Sequence, residues 1–140
     1  QFCLSTETDP RTEYTWLIGK PCKFLSQLYD QTGDARYLAG ASRLVDFFHR
    51  LGPERWHNYA SCKIMWSSAE LYRLTGRVRF AETAERILDW FCESQSPSGL
   101  WVHRLFYAKE EEQPLAACLD IVQELCAEMS DVLFDLSAAS

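Results

Sequence analysis
Leu71–Trp101, LYRLTGRVRFAETAERILDWFCESQSPSGLW, decides the fold. It reads as the end of one helix, a Thr-Gly turn, a second amphipathic helix and an aromatic-rich loop. The same pattern stands 43 residues earlier: between Leu28–His49 and Leu71–Cys92, nine of the 22 positions are identical. They are Leu28/Leu71, Tyr29/Tyr72, Thr32/Thr75, Gly33/Gly76, Arg36/Arg79, Ala41/Ala84, Arg43/Arg86, Asp46/Asp89 and Phe48/Phe91. Lys20 falls opposite Lys63. A period of this length with two helices per unit marks a helical hairpin that repeats.

Gly33 and Gly76 each follow an apolar-periodic helix, where a glycine can take the left-handed conformation that caps it. The next helix starts within a few residues, so the two helices of each unit pack antiparallel.

Two motifs carry a resemblance. Tyr-x-x-Thr-Gly-x-x-x-Tyr/Phe, followed by Ala-x-x-apolar-apolar-Asp, resembles hairpins of the α/α-toroid proteins: six-hairpin glycosidases, sugar 2-epimerases and terpenoid cyclases. Trp90-Phe91-x-x-x-Gln95-x-x-x-Gly99-x-Trp101 resembles the QW motif of terpenoid cyclases, in which the Gln caps a helix end and the Trp stacks on it. The resemblance runs from Tyr14 to Trp101 and implies an all-α fold, part of an α/α toroid or an open arc. The Asp-rich motifs of terpene cyclases and the paired histidines of sugar epimerases are absent, so no catalytic residue carries over.

The 140 residues, 47% of them hydrophobic, make one domain with a real core. Six hairpins at this period would need roughly 260 residues, and the chain holds two plus a further helix. It is expected to be a fragment of a longer toroid, an open arc that forms a homodimer, or a compact bundle. Gln1 in place of a Met points to a processed or cut chain. A net charge of −6 argues against nucleic acid and anionic membranes as partners. No apolar run approaches ~20 residues, and neither a signal peptide nor an Asn-x-Ser/Thr site is present.

Six cysteines sit singly, with no Cys-x-x-Cys, which speaks against a zinc site. Cys118 and Cys126 are ~12 Å apart by helical rise, too far to bridge. Reduced core cysteines in a cytoplasmic protein are expected, with disulfides the alternative. No metal and no cofactor is called for.

In order, residues 1–11 are an extended lead-in, 12–51 the first hairpin and 54–94 the second. Pro21 either kinks the first helix or opens it. Asp34 is the N-cap of the second helix. A connection spans 95–113, with Trp101–Tyr107 alternating like a short strand, and Pro114 opens a final helix over 114–138. Its apolar residues Leu115, Leu119, Val122, Cys126, Met129, Leu133 and Leu136 are spaced 4-3-4-3-4-3, an apolar seam. Asp120, Glu124, Glu128, Asp131 and Asp135 lie off it as a solvated acidic face. Asp46 and Asp89 are expected to pair with Arg43 and Arg86 one turn away.

If the first, third and fifth helices are the inner, parallel set, both Thr-Gly turns share one end. The other end then gathers Thr12–Trp16, His49–Tyr59 and Trp101–Gln113, with all three histidines. That rim is where a pocket of aromatic walls and a few polar groups would form. His57, Asp120 and Glu124 are the candidates for proton transfer, an imidazole titrating near neutrality. Trp16, Trp56, Tyr59, Trp101 and His103 are candidate walls, and Lys20 and Lys63 candidate contacts to an anionic group. The leading expectation is a cofactor-independent α/α-toroid-type enzyme, an isomerase, cyclase or hydrolase, using acid/base chemistry on a small-molecule substrate. The alternative is a non-catalytic helical-repeat scaffold that binds a protein partner through its concave face or final helix, because a 4-3 seam also suits a partner helix.

Overall fold
A computed structural model of the protein describes residues 14–52, 55–104 and 106–138, with the side chains of Tyr14 and Trp16 left out. Cys3, the lead-in, the start of the first hairpin and the Trp16 wall lie outside what is described. The rest is all-helical: α1 Tyr14–Thr32, α2 Ala35–His49, α3 Cys62–Thr75, α4 Val78–Ser94 and α5 Leu115–Ala138, with short 3-10 turns at Tyr59–Ser61 and Glu110–Glu112.

The two Thr-Gly turns are built alike. Gly33 and Gly76 have φ of +69° and +64°, and their amides donate to Tyr29 O at 2.8 Å and Tyr72 O at 2.7 Å. Thr32 and Thr75 each return their hydroxyl to the carbonyl four residues back, both at 2.6 Å. Asp34 then caps α2 through the Arg36 amide. Pro21 lies inside α1 and does not start it.

α2 packs along α1 and α4 along α3, while α1, α3 and α5 form a row. Cross-links fix their directions. Thr15 meets Asn58, Lys23 meets Glu70 and Asp30 meets Arg73, with numbers rising together, so α1 and α3 are parallel. Trp66 to Asp131 and Arg73 to Asp135, each 2.9 Å, make α3 and α5 parallel as well. Both turns therefore share one end, as expected. α1 and α3 touch through backbone: a Cβ on Gly19 would stand 2.4 Å from the Lys63 carbonyl carbon.

One buried cluster gathers Ile18, Phe48, Met65, Ile87, Phe91 and Leu125 among others; a second surrounds Cys22, Val45, Leu71 and Phe80. Of the described cysteines, Cys22, Cys62 and Cys118 are buried and Cys92 and Cys126 exposed, all as free thiols.

Three local expectations fail. Trp101–Tyr107 is not a strand: the Phe106 and Tyr107 amides both turn back to the His103 carbonyl, at 2.9 and 3.0 Å. Asp46 pairs with Arg79 across the helix gap at 2.6 Å rather than with Arg43, and Arg86 lies over the Trp56 ring. In α5 the core-facing residues are Cys118, Ile121, Leu125, Glu128, Val132 and Asp135. Leu115, Leu119 and Leu133 of the expected seam are 73%, 61% and 59% exposed; Val122, Met129 and Leu136 are half-buried along its edge. The seam is displaced by about a third of a turn because two carboxylates enter the core to meet buried cations. Apolar periodicity counts such carboxylates as solvent-facing.

Candidate functional site
The rim end of α3 and the middle of α5 bring together three of the expected site residues. The Tyr59 hydroxyl donates to Glu124 Oε2, and the Lys63 ammonium donates to Glu124 Oε1 and to Glu128 Oε1. Lys63 and Glu128 are buried, whereas Glu124 keeps 36% of its side chain exposed. Burial pushes Glu124 upward, but hydrogen bonds from Lys63 and Tyr59 and the charges of Lys63 and Lys20 outweigh it and hold the carboxyl below its ordinary range. Burial likewise opposes the Lys63 charge, and Cys62, Glu124 and Glu128 reverse it, raising its pKa. Burial, then the Glu124 carboxylate, push the Tyr59 phenol far up. The Cys62 thiol is raised by burial and then by Glu128. At neutral pH the phenol is protonated, the ammonium charged and Glu124 ionised.

The Tyr59 ring also lines a recess of about 420 Å³ with Trp90, Phe91, Glu93, Ser94, Trp101, Val102 and Arg104. His103 is buried and its ring lies 4.8 Å from that of Tyr59. Trp101 is buried because its indole N–H donates to Phe91 O at 2.8 Å, taking a carbonyl at the end of α4. Gln95 instead closes its own loop by donating to Gly99 O at 2.9 Å.

The remaining candidates lie elsewhere. His57 is exposed and stacks on Trp90, centroids 5.8 Å apart, beside an open trough bordered by Glu82, Glu85, Asp89 and Glu93. Asp120 is exposed on α5, one turn before Glu124. Trp56 is buried between Phe48 and His49. Lys20 is exposed on α1, near enough for its charge to act on Glu124. Among the described residues, no three His, Cys, Asp or Glu side chains are placed to hold a metal ion, and no helix is long and apolar enough to cross a membrane.

A second ionic group escapes the sequence reading. Lys23 lies 3.4 Å from Glu70 and 3.9 Å from Asp135, with its ammonium over the Trp66 ring, and Arg73 joins Asp135, Glu70 and Asp30. Burial raises both Glu70 and Asp135 above their usual values. The signal is present in the chain: Glu124, Glu128, Asp131 and Asp135, spaced 4-3-4, are as periodic as any apolar stripe. All four face α1 or α3.

Comparison with known protein families, with curated proteins and with solved structures finds nothing that matches this chain.

Proposed function
We propose that the chain is a non-catalytic helical-hairpin scaffold that engages a protein partner through its final helix. The observation that carries this reading is the division of α5 into two sides. Glu128 and Asp135 are turned inward and tied to Lys63, Lys23 and Arg73, while Leu115, Leu119, Leu133 and Phe134 are exposed. Large apolar side chains left exposed along one helix mark a surface where something binds. The group around Glu124, one of the three proton-transfer candidates, supports the same reading. Tyr59, Lys63 and Glu124 hold one another far from titration near neutrality, where proton transfer is efficient.

A second reading, an α/α-toroid-type enzyme acting on a small organic substrate, draws on the aromatic recess beside Tyr59. The two are separated by an apolar fluorescent dye, bis-ANS, bound to the folded protein. The scaffold reading expects Leu119→Glu with Leu133→Glu to abolish dye binding and Ser94→Trp, which fills the recess, to leave it intact. The reverse pattern would favour the recess, and a folded protein that binds no dye would remove the support for the scaffold.

A further inference from the structure
Resting on the scaffold reading, we infer that the outer side of α5 docks an amphipathic helix of a partner protein, with an apolar seam bordered by lysine or arginine. Three observations lead there.

The first is the repeat. α2 lies along α1 and α4 along α3, each burying an apolar stripe of its inner helix. α5 is the third helix of the inner row, and among the described residues no helix lies along its outer side. The site is therefore shaped for an element of the same kind as α2 and α4.

The second is the pattern. Leu115, Leu119, Cys126 and Leu133 fall on one line with the half-buried edge of Val122 and Met129, a heptad seam from Leu115 to Leu133 within a helix of 24 residues. The seam covers about 27 Å of helix. Such a seam accepts knobs from a facing helix along its whole length.

The third is charge, and it selects the occupant. α5 contains no lysine, arginine or histidine. Asp120 is exposed on the helix, and Glu111 and Glu112 are exposed just before its start. A second copy docked α5 to α5 would set acid against acid. A helix with basic flanks meets complementary charge along the border and apolar side chains in the middle.

The experiment uses the full 140-residue chain and two synthetic helical peptides with the same leucine seam, one flanked by lysines and one by glutamates. Binding is read by fluorescence anisotropy, and oligomeric state by light scattering. The lysine-flanked peptide should bind about tenfold more tightly than its counterpart, the advantage shrinking toward 1 M salt, where screening acts within ~3 Å. Leu119→Glu with Leu133→Glu should weaken both peptides, with helicity unchanged. Asp120→Lys with Gln123→Lys, which spares the seam, should shift preference toward the glutamate-flanked peptide. Equal binding of the two peptides through the seam, or a dimer that the double Glu variant turns into monomer, would overturn the inference and leave the scaffold reading standing. A monomer that binds neither peptide would overturn both.

Discussion

Lys63 of α3 reaches across to Glu128 of α5, and both side chains are more than nine-tenths buried. This pair, with Lys23 and Arg73 on Asp135, is what turns the charged stripe of α5 inward and leaves leucines outside. Removing one partner strands a buried charge. Lys63→Met or Glu128→Leu alone should each cost about 3–5 kcal/mol, and the double variant should recover most of the loss. A denaturant-melt double-mutant cycle reads this directly; additive losses would mean that the pair is not coupled.

Gly19→Ala should destabilise the protein although alanine is the better helix former. A Cβ there would press on the Lys63 backbone at 2.4 Å, and overpacking of this kind costs about 1–3 kcal/mol. Gly40→Ala meets only a flexible Leu25 methyl at 3.1 Å and should cost less. Thermal melts of the two variants side by side make the comparison.

Gly33→Ala and Gly76→Ala should lose similar amounts, about 1–2 kcal/mol each, because both positions are left-handed and neither has a neighbour that a methyl would strike. A large difference between them would break the equivalence of the two hairpins.

Glu70 titrates above its ordinary value in the folded protein because burial disfavours its charge. The folded state thus binds more protons than the unfolded chain between the two values, so this carboxyl's contribution falls as pH rises through that window. Glu124 has the opposite sign: its folded pKa is lowered, so its contribution is present above the ordinary carboxyl range and is lost as pH falls through the folded value. Melting temperature against pH should show Glu70→Gln flattening the decline within that window, and Glu124→Gln making the acid limb shallower. Identical profiles for the two variants would contradict the opposed shifts.

The hairpins were legible because their signals are local. Thr-Gly, the following N-cap and the 3.6-residue stripes each act within a few residues, and the 43-residue offset doubles every signal. That both Thr-Gly turns share one end followed from the parallel inner row, whereas the contacts of Tyr59 and Lys63 with Glu124 were not legible, because they join α5 to residues more than 60 positions earlier. The orientation of α5 was not legible, because that helix carries two stripes of equal periodicity. Which one enters the core depends on whether Lys23, Lys63 and Arg73 wait there, a fact of tertiary packing. Arg79 on Asp46 was hidden for the same reason: a nearer arginine, Arg43, stood one turn away on the same helix. His57 looked like a partner for Glu124, and its ring instead lies on Trp90.

The rotation of α5 decides which residues form the outer surface, and two of its own cysteines report on it. Cys118 lies on the inward stripe and is buried, whereas Cys126 lies on the leucine seam and is exposed. Native protein pulsed with a maleimide and mapped by peptide mass spectrometry should label Cys126 quickly, along with Cys92, and spare Cys118 until the chain unfolds. Rapid labelling of Cys118 with Cys126 protected would mean that α5 packs through its heptad seam, which would leave no leucine strip outside for a partner helix to cover.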